Sequence, residues 1–575
     1  MSQQFITING QKLEFNPGES VLDVAKRNNI DIPHFCHHED LPVGSSCRTC
    51  LVQIVQQNKS PEHQKMCTSC SLEAKDGLEV TSKSEEIKEV RKTNLELLLA
   101  GHTKNCQKCK QGVPCPTAQT ITRYSVDENK YQKYVPDAPP VKLNCAVEIS
   151  HENCIACESC IKICNQLGTG YLTMEGEGIN RHIAGSKSPK NDCIYCGQCS
   201  AHCPTGAAHE ISHIERVEQD LNNPDKIVIA QMAPSVRVSI GEEFGVNYGT
   251  NLAQHMNTAF RQLGFNKVFD VNMGADITTF VEAGELVDRI KNNKPLPMFT
   301  SCCPAWVKFL EFYYPELIPN LTTARSPQIH SAGAYKTWWA EKEGIDPKKI
   351  SIVSIMPCTS KKYEAAHEKL KIDGMLPVDH VVTSREMATM LKKNNIDLPN
   401  LEPSEVDTAG QYSGAAAIYG ASGGVMESAL RTAAFMITGE DMGRLEYEEV
   451  RGMEGIKKAT ITIGELNINV GVVSTAKNAR IVLKEIKDNP ESYQYVEFMA
   501  CPGGCIGGGG QPIPNSSRIT KERTKGLYSL DKSLPIRKAH QNPIIQEFWQ
   551  YIEKQPEERQ TQILHTHYEP KQKGE

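Results

Sequence analysis

The sequence predicts a multidomain protein of mixed α+β and α/β class. Three observations carry that reading. The chain has 575 residues, enough for several domains. Seventeen of its 22 cysteines lie in the first 203 residues. From Lys226 the texture changes to apolar strand patterns alternating with helical ones, as in an α/β layer. The expected domains are 1–80, 81–125, 141–213 and 220–575.

In chain order, residues 1–16 read MSQQFITINGQKLEFN, a β-hairpin with Asn9-Gly10 at its turn. A helix near 20–27 follows, then cysteine-bearing loops on either side of a strand at 50–55. Residues 84–100 have helical periodicity and lead into a second cysteine loop. Residues 127–140 are polar and contain Pro136, Pro139 and Pro140, which marks a linker. Residues 141–213 hold two near-identical cysteine runs, an internal repeat. Farther on, strands are expected at 227–232, 268–271, 350–356 and 468–473. The tail from about Asn515 is polar, with a helix near 543–554.

The N-terminus has no basic stretch followed by an apolar one, so no signal peptide is expected. No apolar run approaches the roughly 18 residues of a membrane span. These features imply a cytoplasmic protein without a membrane partner, in which abundant cysteines bind metal rather than form disulfides. The net charge of −6 is mild and gives no reason to expect nucleic acid.

The cysteine spacings are specific. Cys154-x2-Cys157-x2-Cys160-x3-Cys164 resembles the bacterial ferredoxin run, and Cys193-x2-Cys196-x2-Cys199-x3-Cys203-Pro204 repeats it. In such pairs the fourth cysteine of each run ligates the other cluster. One [4Fe–4S] cluster is therefore expected on Cys154, Cys157, Cys160 and Cys203, and a second on Cys193, Cys196, Cys199 and Cys164. Cys145 fits neither run and reads as a buried thiol. Cys36-x10-Cys47-x2-Cys50 resembles the plant-type [2Fe–2S] loop with a longer first gap. Its fourth ligand is open between Cys67 and Cys70. Cys70 is favoured because it stands six residues before Asp76-Gly77, as in related domains. His102-x3-Cys106-x2-Cys109-x5-Cys115 is a third type of set, one imidazole with three thiolates, expected to hold a [4Fe–4S] cluster, with zinc as the alternative.

Five further cysteines stand in the second half, at Cys302-Cys303, Cys358 and Cys501-x3-Cys505. Four could hold an iron–sulfur cluster, the last two from a loop that glycine keeps open. The fifth would be a spare thiol beside the metal, able to pass a proton.

Three motifs carry a wider resemblance: TSCCPAW at 300–306, MPCTSKKYE at 356–364 and EFMACPGGCIGGGGQP at 497–512. With the cluster series before them, they make almost the whole chain resemble the monomeric [FeFe]-hydrogenases with a full set of accessory clusters. The resemblance implies a two-lobed α/β catalytic domain after a β-grasp plant-type ferredoxin domain, a His/Cys cluster domain and a two-cluster bacterial ferredoxin domain. It implies an H-cluster, a [4Fe–4S] cubane joined by cysteine to a two-iron subsite with CO, cyanide and an azadithiolate. By motif, Cys303, Cys358, Cys501 and Cys505 would bind the cubane, and Cys505 would bridge to the two irons. Lys361 would donate to one cyanide, and Ser235 in the stretch Ala233-Pro234-Ser235 would serve the other. Gln328, Met356 and Met499 would line the pocket. Cys302 would relay protons, followed by Glu282, Glu285 and Arg289 on one helix, with Thr322 where the family usually has serine. Pro502 is another departure, since relatives often have histidine there.

The resemblance implies a ferredoxin hydrogenase, reducing protons to H2 reversibly with electrons from ferredoxin or flavodoxin, and dependent on maturation proteins that build the two-iron unit. A monomer is expected. The alternatives are the catalytic subunit of an electron-bifurcating complex, a non-catalytic H2 sensor, or an iron–sulfur assembly protein. Lys104, Lys108 and Lys110 around the His/Cys set form a candidate docking patch for an acidic donor.

Overall fold

The computed structural model describes residues 4–55, 65–102, 116–127, 129–441 and 446–575. Cys106, Cys109, Cys115 and the three lysines around them lie outside the described residues. The architecture is mixed α/β.

The first sheet contains β1 (Phe5–Ile8), β2 (Gln11–Glu14), β3 (Leu51–Ile54), β4 (Lys65–Thr68) and β5 (Glu79–Thr81), in the order β2-β1-β5-β3-β4. Asn9 and Gly10 both take positive φ, 53° and 80°, the geometry that lets a two-residue turn follow the strand twist. Ser20 caps the helix Val21–Arg27 in a capping box with Asp23. Val21, Leu22, Val24 and Ala25 pack on Ile6, Ile8, Val52 and Val80 of the sheet. The helix Glu85–Ala100 starts at the Ser84 cap. Its buried Arg91 ties it to this sheet by donating to the carbonyls of Ser82 and Leu51.

The next region holds β6 (Val141–Leu143), β7 (Val147–Ile149), β8 (Leu172–Glu175), β9 (His182–Gly185) and β10 (Ala208–Glu210). They form a β10-β7-β6 sheet and a β8-β9 hairpin. The sequence repeat is also a backbone repeat. Ala156 and Glu158 in the first run, like Tyr195 and Gly197 in the second, take left-handed conformations. Three of these four are not glycine, so the surroundings must hold the strain.

The remaining strands are β11 (Ile227–Met232), β12 (Lys267–Asp270), β13 (Met298–Phe299), β14 (Ile350–Met356), β15 (His380–Thr383), β16 (Ile456–Ile463), β17 (Leu466–Ser474) and β18 (Tyr495–Met499). They make two sheets, an all-parallel β12-β11-β14-β15 and a mixed β13-β18-β17-β16. The helix Val271–Lys291 is buried along most of its length, apolar or small on nearly every face, as a helix inside a core must be. Its Gly274 lets the helix Pro327–Ala334 pack closely, because a Cβ there would sit 2.1 Å from the Pro327 carbonyl oxygen.

The C-terminal segment holds more helix than its polarity suggested. Besides Pro543–Ile552, it forms Ser517–Ser533 and Glu557–Leu564. The first of these is fixed by a polar anchor: buried Arg523 pairs with Glu242 and donates to the Ile506 carbonyl. An apolar-period reading is blind to such an anchor.

Candidate functional site

All 19 described cysteines are free thiols. Cys36, Cys47, Cys50 and Cys70 are all buried, Cys50 and Cys70 in the core of the first sheet and Cys36 and Cys47 beside it with Leu95. The Cys47 amide donates to the Cys36 sulfur at 3.5 Å, and the Ser45 hydroxyl lies 3.5 Å from the Cys70 sulfur. The thiols lie in two hydrogen-bonded pairs, in which Cys36 lowers the pKa of Cys47 and Cys50 that of Cys70. Cys67 is half-buried on β4 opposite Val52, and the charge it feels is that of Lys65. Four packed sulfurs that cannot all ionise without a counter-charge are a fitting donor set for iron.

The two repeated runs interleave. Cys154, Cys157 and Cys160 all feel the charge of Cys203, while Cys193, Cys196 and Cys199 all feel that of Cys164. Burial raises the thiol pKa of Cys154 to about 12 and of Cys157 to about 11. Backbone amides turn inward on both runs: Ala156 donates to the Cys154 sulfur and Tyr195 to the Cys193 sulfur, each at 3.4 Å. The left-handed residues aim these amides, so the strain serves a sulfur cradle. His102 is buried just beyond the end of the Glu85–Ala100 helix, while the three cysteines expected beside it are outside the described residues. Cys145 is a half-buried thiol.

In the C-terminal region, chain topology assembles the site. Cys302 and Cys303 follow β13, Cys358 follows β14, and Cys501 and Cys505 follow β18. Ala233, Pro234 and Ser235 follow β11. Each group therefore lies at the carboxyl end of a parallel strand, where α/β sheets open a crevice. Cys303 is the N-cap of the helix Pro304–Tyr313, with the Ala500, Trp306 and Ala305 amides directed at its sulfur. Cys505 and Cys501 both feel the charges of Cys303 and Cys358, which puts the four thiols near one another. Gly504 has φ 89°, and a Cβ there would meet the Ser422 amide at 2.8 Å, so the Cys501–Cys505 loop requires glycine.

The space beside these sulfurs is polar where it has no apolar reason to be. The Ser235 hydroxyl and the Gln328 Oε1 are buried without a hydrogen-bond partner. Lys361 Nζ is buried, donating to the Cys302 carbonyl at 3.0 Å and to Glu364 at 2.8 Å. Gln328 donates to the same Glu364 oxygen at 2.7 Å. Met356 and Met499 are buried at the ends of their strands. A buried cation and unsatisfied polar atoms facing one sulfur-lined space suit a cofactor with anionic ligands.

Cys302 is buried, its thiol pushed up by burial and then by Glu282. Glu282 is fully buried with neither carboxyl oxygen hydrogen-bonded, and burial, then Glu285 and Glu497, push its pKa well above the usual range. Burial thus favours the protonated form of both groups. Glu285 accepts from Thr322 Oγ1 at 2.7 Å and from the Thr323 amide at 2.9 Å, while Arg289 donates to its other oxygen at 2.7 Å. Threonine thus keeps the hydroxyl contact expected of serine.

Sequence reasoning missed Glu364 and Tyr419. Glu364 stands three residues after Lys361 on the helix Ser360–Ala365, a spacing that signals an ion pair. Tyr419, whose hydroxyl lies 2.8 Å from that of Thr279, packs with Cys302 and Met499 and has no motif to mark it.

The comparisons with known proteins agree in sequence and in fold. A family model for the iron-only hydrogenase large subunit, C-terminal domain, matches residues 226–509. Models for a 2Fe-2S iron-sulfur cluster binding domain, a 4Fe-4S dicluster domain and an iron hydrogenase small subunit match 5–85, 153–207 and 517–571. The chain is 39% identical to the NADP-reducing hydrogenase subunit HndD of Solidesulfovibrio fructosivorans, with 100% of both chains covered. It is 38% identical to iron hydrogenase 1 of Clostridium pasteurianum, over 98% of this chain and 99% of that one. A solved structure of [FeFe]-hydrogenase HydA1 from Chlamydomonas reinhardtii matches at TM-score 0.56 and 37% identity, covering 62% of this chain and 99% of the other.

Proposed function

The chain belongs to the iron-only hydrogenase family, and from that premise we propose that it interconverts protons and H2 at the sulfur-lined crevice after β13, β14 and β18, using electrons relayed through its accessory centres. The observation that carries this reading is the convergence of Cys303, Cys358, Cys501 and Cys505 beside a fifth, unligated thiol and a buried lysine. When bound, the H-cluster would supply the redox chemistry.

The protein's own residues hold, charge and supply it with protons. Cys303, Cys358, Cys501 and Cys505 would bind the cubane. Lys361 and Ser235 would donate to its two cyanides, with Ala233, Pro234, Gln328, Met356 and Met499 shaping the wall. Cys302, protonated in its buried setting, hands a proton inward and is reloaded from Glu282. Glu282 would draw in turn on Glu285, which accepts from Thr322 and is held by Arg289.

Electrons are proposed to run along a series of sulfur sites. Cys157 feels Cys47 of the first set, Cys160 feels Cys199 of the second run, and Cys196 feels Cys303 and Cys358. That order supports one [2Fe–2S] and two [4Fe–4S] centres in line, and the His102 set would add a third [4Fe–4S] as a branch. Cys70 is the proposed fourth ligand of the [2Fe–2S]. Accordingly, Cys70→Ser should remove the [2Fe–2S] signal from electron paramagnetic resonance spectra of the reduced protein, while Cys67→Ser leaves it. The opposite pattern would reassign the ligand.

Reduced ferredoxin or flavodoxin is the proposed donor, to a cytoplasmic monomer whose two-iron unit is installed by maturation proteins. Among the described residues no helix is long and apolar enough to cross a membrane. A second reading, membership of a nicotinamide-coupled or bifurcating complex, is favoured by the full-length likeness to an NADP-reducing hydrogenase subunit. Infrared spectra of the purified, matured protein test the cofactor through CO and cyanide bands. Assay of H2 evolution by the isolated chain tests the donor. Turnover with reduced ferredoxin supports the first reading; turnover with methyl viologen but not ferredoxin supports the second. No H2 from either donor in a loaded protein would refute a hydrogenase.

A further inference from the structure

The C-terminal segment places an imidazole at the outer end of the acid relay. His565 follows the helix Glu557–Leu564 and makes an isolated bridge with Ala324. Its Nδ1 lies 2.9 Å from Thr323 Oγ1, which lies 3.1 Å from Glu285 Oε2. Thr323 is exposed and His565 half-buried, so the three groups lead from solvent to the outer carboxylate. The threonine hydroxyl has one proton. If it donates to Glu285, it must accept from a protonated Nδ1, which leaves Nε2 free to take a proton from solvent. We propose that His565 is the proton port of this protein, a residue that collects protons from buffer acids and passes them through Thr323 to Glu285. This rests on the hydrogenase reading above.

The step balances. A solvent acid protonates Nε2, the Nδ1 proton moves to Thr323 Oγ1, and the hydroxyl's own proton moves to Glu285 Oε2. The imidazolium and the carboxylate both become neutral. The port resets when the half-buried ring swings to solvent, where buffer exchanges its Nε2–H tautomer for the Nδ1–H one with no net gain of a proton, and the Thr323 hydroxyl turns back toward Glu285. During H2 oxidation the same moves run outward.

A port of this kind has a kinetic reason. At pH 7 free protons arriving at a diffusion limit near 10⁹–10¹⁰ M⁻¹ s⁻¹ deliver only about 10²–10³ per second. An imidazole can instead be charged by buffer acids present at millimolar concentration. Burial lowers the ring's pKa below the ordinary imidazole value; of the groups facing it, Glu285 favours its cation, Arg325 opposes it and His330 is opposed by it.

The main chain holds this position without the ring. The His565 amide donates to Thr561, its carbonyl accepts from Arg325 at 2.8 Å, and the Thr566 amide donates to Thr323. His565→Ala should therefore fold. His565→Asn keeps a donor toward Thr323 but cannot carry a proton by ionising.

In matured holoenzyme with methyl viologen and dilute buffer at pH 7, both variants should evolve H2 about fivefold more slowly than wild type, and tens of millimolar imidazole should restore most of that loss. Selective ¹⁵N labelling of histidine in oxidised protein lacking the two-iron subsite gives a readout independent of turnover. There the His565 ring should titrate, and Glu285→Gln should lower its pKa. Wild-type rates for His565→Ala in dilute buffer would show that water reaches Glu285 directly and would overturn the proposal. So would a loss that imidazole does not repair, or a ring whose titration ignores Glu285. An inactive wild type would instead condemn the hydrogenase reading and leave the ring titration to be judged alone.

Discussion

Cys302→Ala is expected to lower H2 evolution and H2 oxidation by roughly a thousandfold, the middle of the range for loss of a positioned acid–base group. Every iron–sulfur signal should remain at wild-type intensity, because Cys302 is assigned no metal. Its thiol is buried at the crevice wall, and its carbonyl holds the Lys361 ammonium at 3.0 Å. Alanine keeps that carbonyl, so the lysine and the cyanide contact proposed for it should persist. The measurement is turnover per loaded cofactor, with loading read from the CO and cyanide infrared bands. A fully loaded variant that evolves H2 near the wild-type rate would remove Cys302 from the proton path.

Glu282→Gln should cost on the order of a hundredfold in both directions, because an amide of the same shape cannot relay protons by ionising. The same substitution should stabilise the fold at neutral pH, and the sign follows from its burial. Burial, then Glu285 and Glu497, raise the folded carboxyl above its ordinary value of 4.5. Between 4.5 and the raised value the folded chain holds a proton that the unfolded chain has released. Stability therefore falls as pH rises through that window, by up to about 1.4 kcal/mol per pH unit. Glutamine removes this cost. Thermal unfolding at pH 5 and pH 8 should thus show a gain for Glu282→Gln that grows with pH. Full activity in the variant would move the proton path elsewhere. A loss of stability at pH 8 would show that the carboxyl is not held in its acid form. Glu282→Asp should be milder wherever one water fills the space left by the missing methylene.

Much of the fold was legible because its signals are local. Asn9-Gly10 announces the first hairpin, Ser20 and Ser84 announce helix starts, and 227–232 and 350–356 read as buried strands from apolar content alone. At 268–271 the strand ends one residue earlier than expected, since Asp270 caps the long helix that begins at Val271. The polar C-terminal helices escaped notice. Their anchors, such as Arg523 with Glu242, join residues almost three hundred positions apart, and apolar periodicity does not register an ion pair.

By itself the sequence determined the chemistry. Metal-ligating sulfur needs cysteine at set short spacings, so the runs at 154–164 and 193–203 and the three C-terminal motifs point to the family and to candidate donor atoms. Spacing and resemblance already propose which of those atoms meet, and the tertiary structure adds the burial and the neighbours around them. Cys203 joins Cys154, Cys157 and Cys160, and Cys303, Cys358, Cys501 and Cys505 converge because β13, β14 and β18 end at one crevice. Cys70, favoured over Cys67 from its place before Asp76-Gly77, lies in hydrogen-bond contact with Cys50, and Glu282 is buried with neither carboxyl oxygen hydrogen-bonded. Tertiary structure brought His565 to Thr323 across 242 residues. Spacing along a chain fixes separation only over a few residues. Beyond that, which groups share a site depends on how sheets and helices pack, and burial, which sets each proton's affinity, is a property of that packing.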